Sequence, residues 1–213
     1  MLVRPARAAA ARGLLVGFHG YIENAAIQLE RLERIPGASA WILVSIQGLH
    51  RFYRGRTEEV VASWMTREDR DTAIADNLAY VAAALDEVPR DDVTPIVYAG
   101  FSQGVAMAFR AAVLGRDRAS GVIAIGGDVP PELLADRSLP FPPVFLARGE
   151  RDEWFTKSKF DADVAALTAR GAPPRSLVYD GAHEWNAAVA SAAGEFLGDA
   201  STRITIGRSH VGP

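Results

Sequence analysis

The stretch "IVYAGFSQGVAMAFRAAVLG", Ile96 to Gly115, decides the fold. It opens as a short apolar run, Ile96–Ala99, of the kind that forms a strand covered on both faces. Gly100-Phe101-Ser102-Gln103-Gly104 follows, and then a helix-period segment ending near Gly115. This is a Gly-x-Ser-x-Gly sequence placed on a strand-to-helix turn. Glycines at the flanks relieve the collisions of a sharp turn and leave the serine hydroxyl exposed above the sheet. The next backbone N–H groups open a helix and so point at negative charge developing there. The alternative is an ordinary strand–helix turn, which needs neither the glycines nor the hydroxyl.

Working outward, the same alternation runs through most of the chain. Apolar runs stand at Leu14–Phe18, Trp41–Ser45, Val122–Ile125, Val144–Ala147 and Ser176–Tyr179. Helical segments are expected over about Asn24–Arg34, about Asp69–Glu87, Lys157–Arg170 and about Trp185–Leu197. In the second of these, Ile74, Leu78, Val81, Ala82 and Leu85 follow helical spacing, and Thr66 with Asp69 resembles a capping box. Gly171 and Gly198 read as helix stops. Strand–helix alternation implies a mostly parallel sheet of about six strands with helices on both faces. In such sheets the ligand site lies at the carboxyl ends of the strands.

Composition bounds the rest. A chain of 213 residues is expected to form one domain, with residues 1–12 frayed and 200–213 a tail that either pairs as a strand or dangles. The formal charge of −3 argues against nucleic acid bound through a basic face. There is no cysteine, which removes disulfides, thiolate metal sites and cysteine nucleophiles and suits a reducing, cytoplasmic setting. No apolar run has membrane-spanning length. The Arg- and Ala-rich start could feed the first strand or act as a transit segment, and the former is favoured.

A serine hydroxyl needs a base. Of the four histidines, His183 lies in "YDGAHEW", between the last strand and the last helix, beside small residues that leave its ring accessible. His19, in "VGFHGY", is better explained as shaping a loop. His50 could line a pocket, and His210 lies in the tail. The imidazole in turn needs a carboxylate. Asp152, in "ARGERDEWF" after Val144–Ala147, is preferred, with Asp128 of "GGDVP" as the alternative. Ser102, Asp152 and His183 then stand in the chain order of α/β hydrolases.

A tetrahedral intermediate needs donors for its oxyanion. Gln103 N–H is one, and Tyr21 N–H in "FHGYIEN" is the expected second. Aromatic side chains near these loops suggest an apolar acyl or aryl pocket built from His50, Phe52, Trp64 and Met65 on one side and Trp154, Phe155 and Trp185 on the other. The long connection Gln47–Thr66 is read as a pocket wall or short flap.

"FHGYIEN", "GFSQG", the Asp152 loop and "GAHEW" together resemble the phospholipase/carboxylesterase family of α/β hydrolases, which includes acyl-protein thioesterases and bacterial carboxylesterases. The resemblance spans Leu14 to about Leu197. It implies an α/β-hydrolase fold with a reduced N-terminal hairpin near Leu2–Arg4 and no large cap domain. It implies Ser102, Asp152 and His183 as the triad, Tyr21 and Gln103 as oxyanion donors, and no cofactor or metal. Dienelactone hydrolases share the architecture but use cysteine. The expected activity is hydrolysis of small or short-acyl carboxylic esters. An acyl-thioesterase or lysophospholipase is the alternative within enzymes, and an inactive hydrolase fold serving as a binding module is the alternative outside them. Monomer and homodimer both stay open.

Overall fold

The computed structural model describes residues 1–8, 10–91 and 94–209, with side chains as far as residue 200; His210 lies outside the described residues. The main sheet has seven strands in the order β1-β3-β2-β6-β7-β8-β9. These are β1 (Leu2–Arg4), β2 (Leu14–Phe18), β3 (Ile42–Ile46), β6 (Ile96–Phe101), β7 (Ala119–Ile125), β8 (Val144–Gly149) and β9 (Arg175–Tyr179). Only β1 runs antiparallel to its neighbour, pairing Leu2 with Ser45 and Arg4 with Leu43. A separate antiparallel ribbon joins β4 (His50–Tyr53) to β5 (Val60–Ser63).

Period-two alternation sorts the strand side chains into two cores. Leu14, Val16 and Phe18 of β2 face one way, with Tyr98, Val122, Ala124 and Leu146. There they meet α2 (Arg70–Asp86), α3 (Gln103–Leu114) and α5 (Lys157–Ala169), through Val81, Leu85, Phe109 and Leu167. Leu15, Val97, Ile123, Ile125 and Phe145 face the other way. They meet α1 (Ala25–Glu33) and α6 (Ala187–Ser209) through Leu32, Val189 and Phe196. Burial on both faces is why the central strands read as unbroken apolar runs. A short helix, α4 (Pro131–Ala135), follows β7.

Several expectations need correction. The reduced N-terminal hairpin expected near Leu2–Arg4 is a single edge strand, the seventh of the sheet. The first residues are tied down rather than frayed there, and Arg7 and Arg12 donate backbone N–H groups to Ser39 and Ala40 carbonyls. No capping box forms at α2: Asp69 sits in a left-handed conformation, and Thr66 Oγ1 accepts from Glu68 N–H instead. Gly198 lies inside α6 rather than ending it, and the backbone continues as helix to Ser209. Among the described residues no helix is long and apolar enough to cross a membrane.

Candidate active site

Ser102 stands between β6 and α3 with φ 53° and ψ −121°, a conformation L-residues rarely adopt. Its N–H donates to Ile125 O at 2.9 Å, so the adjacent strand pins the turn. The flanking glycines are required by contact. A Cβ on Gly100 would lie 2.4 Å from Gly104 O, and one on Gly104 would lie 2.1 Å from Phe18 O. Gly127, after β7, is a third: a Cβ there would meet Ser102 O at 2.4 Å.

His183 bridges the serine and a carboxylate. Its Nε2 lies 2.9 Å from Ser102 Oγ, and its Nδ1 lies 2.9 Å from Asp152 Oδ2. The other oxygen, Asp152 Oδ1, accepts the N–H groups of Trp154 and Phe155, each at 2.9 Å. The Asp152 side chain is fully buried, so its orientation is set by these bonds. The pairing of β8 with β9 brings the two loops together, reinforced by Glu150 N–H to Tyr179 O and Arg151 N–H to Gly181 O. Burial pushes the Tyr179 hydroxyl up to about 12, so it stays protonated and donates to Glu184 O in the histidine loop. Asp128, the alternative acid, is half exposed and pairs with Lys159 at 3.3 Å.

The sequence reading overlooked the support beneath the acid loop. Arg148 is buried at the end of β8 and donates to the carbonyls of Phe155 at 3.0 Å, Glu150 at 3.1 Å and Asp152 at 3.4 Å. An arginine inside the apolar run "VFLARG" was the signal for it.

The loop after β2 is equally constrained. His19 is fully buried, with Nδ1 2.7 Å from Gly20 O and Nε2 accepting Gly48 N–H at 3.0 Å. These partners select the neutral tautomer that carries its proton on Nδ1. Burial lowers the ring's pKa from 6.5, opposed by Gly20 O and Glu23. Trp64 Nε1–H donates to His19 O at 2.9 Å. Tyr21 then stands exposed at the rim. Gln103 opens α3, where helix geometry leaves the first N–H groups without helical acceptors. Its side chain is held by Trp64 N–H, at 3.0 Å from Oε1, and by Met65 O, at 3.0 Å from Nε2.

A cleft of about 600 Å³ opens over Ser102 and His183. Trp154 and Trp185 line it. His50, Phe52, Trp64, Met65 and Phe155 do not. Trp64 and Phe155 are fully buried, Met65 packs beside Arg110, and Phe52 touches the outer side of Tyr21, ring centroids 6.0 Å apart. His50 lines a separate depression of about 390 Å³ over the start of α2. The ribbon therefore supports the Ser102 turn from behind rather than walling the cleft. Instead, the loop after β2 and α1 supply the wall: Glu23, Ile27, Glu30, Arg31 and Arg34. Among the described residues no three His, Asp or Glu side chains gather as a metal site.

Residues 51–192 match the profile of the dienelactone hydrolase family. The chain belongs to that family. Membership makes it a carboxylic ester hydrolase. The matched span contains Ser102, Asp152 and His183, and the residue at the strand–helix turn is a serine. No curated protein matches the chain significantly. Among solved structures, esterase PE8 has 21% identity and a TM-score of 0.76, covering 93% of this chain and 97% of its own. Zea mays acyl-protein thioesterase 2 has 18% identity and a TM-score of 0.72 over 94% and 98%. The Bacillus cereus carboxylesterase has 19% identity and a TM-score of 0.68 over 93% of both chains. These likenesses establish an α/β-hydrolase fold for this dienelactone hydrolase family member.

Two predictions arise from this geometry. Asp152→Asn is expected to lower kcat on the order of 10⁴-fold, whereas Asp128→Asn keeps near-normal turnover; the reverse order would make Asp128 the acid. The second concerns pH. With its folded pKa below 6.5, His19 contributes stability that is complete above that value and lost as pH falls towards the folded pKa. Buried Asp163, raised to about 6, works the other way, so the comparison must be differential. Urea midpoints from about pH 8 to about pH 5 are expected to fall less steeply for His19→Gln than for the native protein. Equal slopes would show that the imidazole is not held neutral.

Proposed function

We propose that the protein is a serine carboxylesterase that works through an acyl-enzyme on Ser102. The observation that carries this reading is the placement of His183 at 2.9 Å from both Ser102 Oγ and Asp152 Oδ2, on a turn whose strain projects the hydroxyl into a cleft. His183 Nε2 takes the hydroxyl proton as Oγ attacks the ester carbonyl carbon. Asp152 keeps the second imidazole proton on Nδ1 and balances the charge that forms. The carbonyl electron pair becomes an oxyanion, which Gln103 N–H and Tyr21 N–H receive. His183 returns its proton to the departing alcohol oxygen. Water then gives a proton to His183 and its oxygen to the acyl carbon, releasing the acid and restoring Ser102.

The substrate we favour is a small or short-acyl ester, or an aryl ester. Trp154 and Trp185 offer flat apolar faces beside Ser102, while Glu23, Glu30, Arg31 and Arg34 make the opposite wall charged. A long alkyl chain laid on that wall would strip water from the Glu30–Arg34 pair, whose side chains are 66% and 70% exposed, and offer no polar group in return. This weighs against the alternative, an acyl-thioesterase or lysophospholipase. The test is a series of p-nitrophenyl esters from acetate to palmitate with Ser102→Ala as control. Activity is expected to be highest for short acyl groups and to vanish in the variant, which stays folded. A maximum at long chains would move the reading to lipid or thioester substrates. Activity at no length would favour a binding role.

A further inference from the structure

One ion pair within the cleft ties the loop that carries Tyr21 to the base His183. Glu23 Oε2 accepts Gly20 N–H at 2.8 Å. Arg31, one helix face away on α1, grips the same carboxylate with both terminal nitrogens, Nη1 at 2.5 Å and Nη2 at 2.7 Å. Both side chains are largely buried, 15% and 18% exposed. The guanidinium carbon lies over the Phe101 ring, 4.1 Å from its centroid. Phe101 immediately precedes Ser102, and its ring packs on the His183 imidazole with centroids 5.0 Å apart.

The backbone around Glu23 is stitched as well. Ala62 N–H donates to Glu23 O at 2.8 Å, and Ile22 N–H donates to Ala62 O at 3.2 Å. Ile22 sits at φ 59°, a strained position for a β-branched residue. Such strain persists only where surrounding contacts over-determine it. Two contacts fix the Gly20 end of this strained turn: His19 Nδ1–H on Gly20 O, and the Glu23 carboxylate on Gly20 N–H.

We propose that Glu23 and Arg31 are positioning residues for ester hydrolysis: Glu23 anchors the His19–Gly20 peptide, one residue before the Tyr21 N–H that meets the oxyanion, and Arg31 locks Glu23 while backing Phe101 against His183. This rests on the reading of Ser102 as nucleophile and Tyr21 N–H as oxyanion donor. The pair is an internal brace, with each charge already met by the other. Its effect is therefore on the rate of the acyl-transfer step rather than on ground-state affinity.

The experiment measures Ser102 acylation in the pre-steady-state burst with p-nitrophenyl acetate for the native protein, Glu23→Ala, Glu23→Gln and Arg31→Met. Glu33→Gln, on the same helix as Arg31, loses an exposed pair with Arg4 of β1 and serves as control. All are assayed below their own melting temperatures. Affinity for an aryl trifluoromethyl ketone is measured alongside. There Ser102 Oγ bonds the ketone carbon, the carbonyl pair becomes an oxyanion, and the proton passes to His183. Glu23→Ala is expected to slow acylation by about 10- to 100-fold, with KM little changed. Ketone affinity falls in parallel. Glu23→Gln, which keeps an acceptor for Gly20 N–H, recovers part of the rate. Glu33→Gln behaves as native.

Two results would overturn the positioning role: native acylation rates in Glu23→Ala and Arg31→Met, or slowed acylation with unchanged ketone affinity. Absence of acylation at Ser102 in the native protein is a different failure. It would remove the nucleophile assignment itself and the brace with it.

Discussion

The structure depends on one close approach. The amino end of α3 must come within van der Waals contact of the β2 terminus so that Ser102 can stand proud of the sheet. Gly104 makes that contact possible, since any Cβ there would occupy the space of Phe18 O. Gly100 allows the turn to fold back on Val105, and Gly127 allows β7 to leave room beneath the Ser102 carbonyl. Ser102 itself remains in a left-handed conformation, at a cost of about 1–3 kcal/mol for such a residue. The two apolar cores on either side of the sheet offset that cost. The helix that follows directs its first N–H groups at the same point that the hydroxyl reaches.

Around that point the neighbouring strands deliver the remaining groups in order. β2 supplies the rim loop, β8 the carboxylate and the loop after β9 the imidazole. Each loop is held by a buried polar side chain that takes no direct part in the Ser102–His183–Asp152 line: His19 for the first, Arg148 for the second, and Tyr179 for the third. Buried polar groups are costly unless paired, so these side chains fix single loop conformations as well as satisfying carbonyls and N–H groups. His19 shows the distinction clearly. It looks chemically able, yet both ring nitrogens are already occupied by backbone partners.

Much of the fold and the serine–histidine–aspartate line were legible in the sequence because both are local signals in series. Apolar runs, helix periods and the residue just after each strand are all short-range features. What was not legible depended on long-range packing. Leu2–Arg4 is too short and exposed to show a pattern of its own; only the family resemblance pointed to it, and it forms a strand because β3 offers an edge. Gly198 looks like a stop but lies inside α6. The aromatic residues of Gln47–Thr66 suggested a pocket wall, but the ribbon turns Trp64 inward beneath His19 and leaves Phe52 outside Tyr21. The true wall lies on α1, where Ile27, Glu30, Arg31 and Arg34 recur at helical spacing on the face opposite Leu29 and Leu32. Nothing in the sequence sets that face apart from a solvated one, and only the placement of α1 beside the β6 terminus turns it towards Ser102.

The charged wall and the aromatic rim give the cleft two unlike sides, with the Ser102 hydroxyl between them. The central claim is that this hydroxyl carries the acyl group during turnover. The most direct measurement is rapid acid quenching during p-nitrophenyl acetate turnover, followed by peptide mass spectrometry. The account predicts a transient acetyl group on the peptide containing Ser102, and none in His183→Ala. Steady hydrolysis with no acyl group on Ser102 at any quench time, or an acyl group on another residue that decays at the turnover rate, would contradict it.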